Sequence, residues 1–243
     1  MKKLIIDSRM RKPEKELLTT LWYKIIELEK SKDVYEEISS HPDVFCTKIG
    51  NRIVVEPNTY RYLTSKVLEK DKFIIGKKCL GKVYPMDINY NVCTVGKYAI
   101  HNFKYTDETI VELLDKNGYE MINVSQGYSN CSIAVIDDKS IITSDKGIYN
   151  KLKDLELNIL LVENDNIKLL NGNTYSTKNG FIGGCIVRLE PEGHDNAVIF
   201  ISGDLNKLRG GNEIRDFVSE RKIDLIEFPN MDVIDYGGIV ELE

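Results

Sequence analysis

The feature that most constrains this chain is a repeat. Five times the sequence passes from a short loop rich in Asp, Asn or Gly into an apolar strand, a tight turn, a second apolar strand, a capped helix and a third strand. The second-strand-and-helix portions cover 3–30, 52–70, 97–118, 140–155 and 197–222. A unit of this size cannot bury its own apolar face, so its neighbours must cover it. Five units with ends that can close predict a ring, and a ring has a central site.

Turn chemistry marks the hairpins. Residues 44–49 lead through Gly50-Asn51 into 53–55, 92–95 through Gly96 into 98–100, and 132–136 through Asp137-Asp138 into 140–143. Residues 186–189 lead through the longer turn 190–196 into 197–201. Such runs of β-branched residues around Gly, Asn or Asp are hairpin signals. Third strands follow at 73–76, 119–124, 158–162 and 224–228. Pro13 opens the first helix, and Leu17, Leu18, Leu21, Trp22, Ile25 and Ile26 recur at helical spacing after it. Asn58, Thr106, Asp145 and Asn212 are candidate N-caps of the four later helices, and Asn117-Gly118 closes the third. The stretch 238–243 reads as a first strand without a following partner, and 3–6 as a second strand without a preceding one. Pairing them completes the fifth hairpin and removes exposed strand edges. No linker interrupts the pattern, so one α/β propeller domain over 1–243 is expected. The alternative is an ordinary open α/β sheet. It needs no hairpin in every unit, and both the dinucleotide glycine fingerprint and the phosphate loop are absent.

Composition narrows the function. A net charge of -5, from 33 basic and 38 acidic residues, argues against nucleic acid. The apolar runs are far too short to span a bilayer, and the first residues do not read as a secretory leader. Five cysteines without C-x-x-C spacing predict free thiols in a reducing compartment, hence a cytoplasmic protein.

The loops before the first strands, 41–43, 87–91, 126–131, 181–185 and 232–238, concentrate His, Asp, Asn and Gly, and in a ring they converge. Each candidate there has a structural rival. Cys131 is a possible nucleophile, yet Cys46, Cys93 and Cys185 hold comparable places, as small buried packing residues would. His41 is an acid/base or a turn residue before Pro42. Asp235, before Gly237-Gly238, is a ligand for a cation or a turn former. Asp87, Asn89 and Asn91 bind substrate or bond their own backbone. His101 ends a strand and reads as structural, and His194 as a solvated turn. No His or Cys pair has metal-ligand spacing.

This pattern resembles the guanidine-modifying, or pentein, superfamily, which includes arginine deiminase, agmatine deiminase and dimethylarginine dimethylaminohydrolase. The loop His41-Pro42-Asp43-Val44-Phe45-Cys46-Thr47 is similar to the family's His loop. Gly127-Tyr128-Ser129-Asn130-Cys131-Ser132 is similar to its Cys turn, and Asp235-Tyr236-Gly237-Gly238 to its carboxylate loop. The resemblance covers nearly the whole chain in changed order, as a circular permutation would. Tyr128 stands where a second glycine is usual, no carboxylate falls near Ile182-Gly183, and the C-terminal unit has no cysteine. The resemblance implies hydrolysis or transfer at a guanidine or amidine carbon of a small cationic substrate. Cys131 would be the nucleophile and His41 the acid/base, with Asp235, Asp43, Asp87 and Asn91 holding substrate and no cofactor or metal. The competing expectation is a non-catalytic binding protein on the same fold.

Overall fold

The computed structural model describes residues 1–163, 165–194 and 196–242. Glu243, in the expected last strand, and Asp195, in the expected turn 190–196, lie outside the described residues. The chain enters in mid-unit with β1 (Lys3–Asp7), α1 (Lys12–Thr20) and β2 (Lys24–Leu28). A helical turn α2 (Pro42–Phe45) precedes β3 (Cys46–Ile49), β4 (Arg52–Val55), α3 (Pro57–Ser65) and β5 (Phe73–Ile75). The third unit is β6 (Cys93–Val95), β7 (Tyr98–His101), α4 (Glu108–Lys116) and β8 (Glu120–Asn123). A second helical turn, α5 (Ser129–Ser132), leads into β9 (Ile133–Asp137), β10 (Ser140–Thr143), α6 (Lys146–Leu152) and β11 (Asn158–Leu161). Then come the hairpin β12 (Lys168–Asn171) and β13 (Thr174–Asn179), the unit β14 (Ile186–Leu189), β15 (Val198–Ile201), α7 (Gly211–Ser219) and β16 (Asp224–Ile226), and finally β17 (Ile234–Asp235) and β18 (Val240–Leu242).

The five units share one topology. The first strand runs antiparallel to the second, and the third returns parallel to it across the helix. In the unit that spans both ends of the chain, Lys3 pairs with Leu242, Leu4 with Glu241 and Ile5 with Val240, while β2 lies parallel to β1. The expected pairing of the two ends is therefore present. Each helix buries one stripe: Leu18 in α1, Leu63 in α3, Ile110 and Leu114 in α4, Ile148 and Leu152 in α6, Ile214 and Val218 in α7. Each such side chain contributes roughly 1.5–3 kcal/mol through burial.

Contacts between successive loops trace the ring. Asn91 reaches the main chain at Asp43 and at Asn130 and Cys131. A Cβ on Gly183 would collide with the carbonyls of Asn130 and Cys131. The Gly184 carbonyl accepts from Tyr236 and Gly238, and the Gly237 carbonyl accepts from Asp43. The circuit returns to its start. All five first strands line an axial cavity of about 300 Å³, with Lys48, Thr94, Val135, Arg188 and Val240 on its wall. This is the five-unit α/β propeller that the repeat predicts. No helix among the described residues is long and apolar enough to cross a membrane.

Five local expectations are corrected. The first helix ends at Thr20, so Trp22 is exposed and Ile25 and Ile26 belong to β2 rather than to a helical face. The first strands begin later than expected, at Cys46 and Ile133, because Pro42–Phe45 and Ser129–Ser132 close into helical turns. Proline at the first position suits such a turn. Asp107 caps α4 through Thr109 N (2.9 Å), and Thr106 instead bonds His101 Nδ1 (2.6 Å). Pro57 starts α3, so the cap falls on Glu56, which accepts from Thr59 N (2.8 Å), and not on Asn58. Gly210, not Asn212, precedes α7. A sixth small sheet also stands outside the repeat: β12 pairs antiparallel with β13 and parallel with β17, placing Leu169 opposite Asp235.

Candidate active site at the hub

Helical turn α5 presents Cys131 inward because Asn91 holds it. The Asn91 carbonyl oxygen accepts from Asn130 N (2.8 Å) and Cys131 N (3.1 Å). Its amide donates to the Asp43 carbonyl (3.0 Å) and to Cys131 Sγ (3.1 Å). That is the full bonding capacity of an Asn side chain, so Asn91 fixes the turn. The Cys131 thiol donates to Asp43 Oδ2 (2.9 Å), which also accepts from Asn130 Nδ2 at 3.4 Å. Asp43 Oδ1 has no partner.

His41 stands at the start of α2, fully buried, and neither ring nitrogen has a hydrogen-bond partner. Two carboxylates flank it at longer range: Asp7 Oδ2 lies 3.8 Å from Nε2, and Asp235 Oδ1 lies 3.9 Å from Nδ1. Glycines make this approach possible. A Cβ on Gly237 would strike His41, and one on Gly180 or Gly184 would strike Asp235. Asp235 itself is oriented by Phe181 N on Oδ2 and Gly237 N on Oδ1, each 2.8 Å. Asp7 is engaged by Arg9, whose Nε and Nη2 reach its two oxygens at 3.0 and 2.7 Å. Arg9 Nη2 also donates to the Glu37 carbonyl (2.8 Å). Among the described residues no Lys or Arg pairs with Asp43 or Asp235.

Electrostatics follow from this shortage of positive charge. Burial, and then the charge of Asp235, push Asp43 up to about 7. Burial pushes Asp235 up to about 6, although its two backbone donors oppose the rise. Burial and the two carboxylates raise the Cys131 thiol well above its usual range. Burial, with Arg9 second, holds the His41 imidazole well below its usual value. Near neutral pH the hub thus contains a thiol, a neutral imidazole and carboxyl groups that ionise at about 6 to 7.

Cys131, Asp43, Asn91, Asp235 and His41 therefore come together, but His41 faces Asp7 and Asp235 and makes no hydrogen bond to Cys131. Asp87 sits apart, where its Oδ2 accepts from Tyr128 OH (2.5 Å), and Tyr128 OH lies 3.2 Å from Tyr35 OH. The rings of Tyr128 and Phe181 stack with centroids 6.0 Å apart. Tyr128 belongs to the Cys131 turn, and Phe181 N holds Asp235, so these aromatics roof the hub. Sequence reasoning did not find Asp7, Arg9, Tyr35, Tyr128 and Phe181 as site residues. Asp7 ends a strand at the ring's inner end, and that position was the available signal. His101 bonds Thr106 and the Gly127 carbonyl (2.8 Å), a structural role, while His194 is exposed. All five cysteines are free thiols. No cluster of three or more His, Cys, Asp or Glu among the described residues is arranged to hold a metal ion.

Solved structures share this architecture. A dimethylarginine dimethylaminohydrolase variant from Pseudomonas aeruginosa, complexed with citrulline, superposes with a TM-score of 0.56 at 9% identity, covering 95% of this chain and 92% of that one. A dimethylarginine dimethylaminohydrolase adduct with 4-chloro-2-hydroxymethylpyridine gives 0.56 at 10% identity, covering 95% and 92%. An amidinotransferase from Microseira wollei, of the saxitoxin biosynthetic pathway, gives 0.56 at 11% identity, covering 94% and 77%. At these identities the likeness is one of fold. No curated protein sequence matches the chain. A family model described as a family of unknown function (DUF6873) matches residues 5–240, so the chain belongs to that family and carries the pentein fold.

Proposed function

We propose that this chain binds a small cation of guanidine or amidine type at the hub and performs hydrolysis or group transfer at its central carbon. One observation carries the reading: Asp43 and Asp235, both buried, lie beside a thiol without a Lys or Arg partner. A flat guanidinium donates paired, charge-assisted hydrogen bonds to carboxylates. Held by Asp235, it would supply the missing charge and lower the thiol pKa of Cys131.

The steps balance without a further reactant except water. Cys131 Sγ bonds to the central carbon while its proton passes to Asp43, whose pKa of about 7 suits the transfer. The departing amine takes that proton. Water then attacks the thiouronium carbon while neutral His41 accepts one of its protons. The C–S bond breaks, the remaining hydroxyl proton passes to the sulfur to restore the thiol and leave a urea-type product, and the imidazolium gives its proton to the released amine. An amine in place of water gives transfer. Asn91 positions the nucleophile. The thiol must remain reduced, which accords with a cytoplasmic setting, and the whole of 1–243 acts as one domain.

The test is incubation with agmatine, arginine and methylated arginines, with amine or ammonia release as readout. Cys131→Ser should abolish turnover and retain binding. A halo-amidine should alkylate Cys131 selectively. Turnover unchanged in Cys131→Ser removes this mechanism. The second reading, a non-catalytic binding protein, draws support from the 2% exposure of Cys131 and its raised pKa. Labelling of all thiols only after unfolding, with no binding of any guanidine, would favour it.

A further inference from the structure

The roof over the hub has a feature the chemistry above does not use. Asp87 is buried, and its Oδ1 has no hydrogen-bond partner, while Oδ2 is taken by Tyr128. Tyr128 reaches it with its hydroxyl, lies 3.2 Å from the Tyr35 hydroxyl and stacks on Phe181, so an aromatic cluster adjoins it. A buried carboxylate oxygen without a donor, beside an aromatic cluster, is an environment for an organic cation, since ring faces attract positive charge. A cation already approaches it. Lys178, near the end of β13, places Nζ 4.6 Å from the centroid of the Tyr35 ring and 3.7 Å from Glu37 Oε1. Its charge also acts on Asp87. The strand that carries it belongs to the sheet outside the fivefold repeat.

We propose that Tyr35, Tyr128, Phe181 and Asp87 form a subsite for the distal alkylammonium group of a dicationic ligand, and that Lys178 is its resident intramolecular competitor. An incoming ammonium gains the free oxygen of Asp87 and the aromatic faces, and displaces the lysine toward solvent, where 61% of its side chain is already exposed. The assignment of this subsite to the outer end of a guanidine substrate rests on the reading above; its affinity for a cation does not.

The decisive probe therefore lacks a guanidine. Butylammonium is titrated against the full chain, and the proton resonance of its α-methylene is followed. Aromatic faces should shift the resonance upfield in a saturable manner. Lys178→Ala should tighten binding by roughly three- to tenfold, and Phe181→Leu should weaken it by a similar factor. A saturable shift with both responses supports the subsite even if no guanidine is turned over, in which case the catalytic reading alone fails. No saturable shift in Lys178→Ala overturns the subsite, even if guanidines are processed. Affinity unchanged or weakened by Lys178→Ala overturns the competitor role. If Phe181→Leu is unfolded by circular dichroism, Tyr35→Leu replaces it with the same expectation.

Discussion

Two sides of the hub meet at Asp43 and are built on opposite principles. On the Cys131 side, Asn91 spends all four of its hydrogen bonds and the thiol has a defined donor and acceptor. On the His41 side, an equally buried ring has no hydrogen bond at all and stands between carboxylates at 3.8 and 3.9 Å. Leaving a buried polar group unpaired costs about 1–3 kcal/mol. Such exceptions in a well-satisfied structure mark places that a water or ligand completes. The contrast separates a side that holds shape from a side that waits for a partner.

The largest effect should come from breaking the satisfied side. Asn91→Leu leaves Cys131 N and the Asp43 carbonyl unpaired, leaves Asn130 N only the main-chain oxygen of residue 91 at 3.2 Å, and should cost about 3 kcal/mol or more. For a chain of this length that lowers Tm by roughly 6–12 °C in calorimetry. A small loss would mean that the turn holds itself. His41→Leu should do the reverse, since no hydrogen bond is broken. Stability should stay within about 1 kcal/mol of the parent or rise, while guanidine turnover disappears. A large destabilisation would show that the ring is held by contacts on which the fold depends.

The pH profile sharpens the same contrast. Asp43 and Asp235 have folded-state values raised to about 7 and about 6, above the unfolded value of 3.8, so the folded chain binds more protons between. Their contribution is complete below the unfolded value and is lost as pH rises through 6 to 7. His41 is lowered below 6.5, so its penalty grows as pH falls below 6.5. The two trends oppose each other in the parent. In His41→Leu only the carboxyl trend remains, and Tm should fall steadily from pH 4 to pH 7. A guanidinium held by these carboxyls at pH 6 should release protons, measurable by calorimetry in buffers of different ionisation enthalpy. The smallest effect lies far from the hub: Glu56→Ala should cost about 1 kcal/mol as a lost cap and Asn58→Ala only a few tenths.

The ring was legible because its signals are local. Turn residues, β-branched strands and caps repeat within each unit, and Asp145 caps α6 as expected through Ile148 N. The caps misread were those beside Pro57, Asp107 and Gly210, where a neighbouring residue competes for the same role. The extra hairpin had a signal in Asn171-Gly172, with Gly172 at φ +61°, but it lies outside the repeat that organised the reading. Convergence of Cys131, Asp43 and Asp235 followed from the ring. That Asn91 would hold a turn, that Asp7 would face His41, and that Tyr35, Tyr128 and Phe181 would roof the hub depends on side-chain directions across units. No spacing within one unit encodes those.

The residue at position 237 joins the two acids of the hub. Its N–H donates to the Asp235 carboxylate and its C=O accepts from Asp43 N at 3.2 Å, while His41 leaves no room for a side chain there. Through the two peptide groups on either side of its Cα, this one residue ties the Asp235 carboxylate to the main chain at Asp43, so a single pair of backbone angles sets the spacing of the two loops. Replacing Gly237 would shift that spacing, because its backbone is left-handed and a side chain there meets His41.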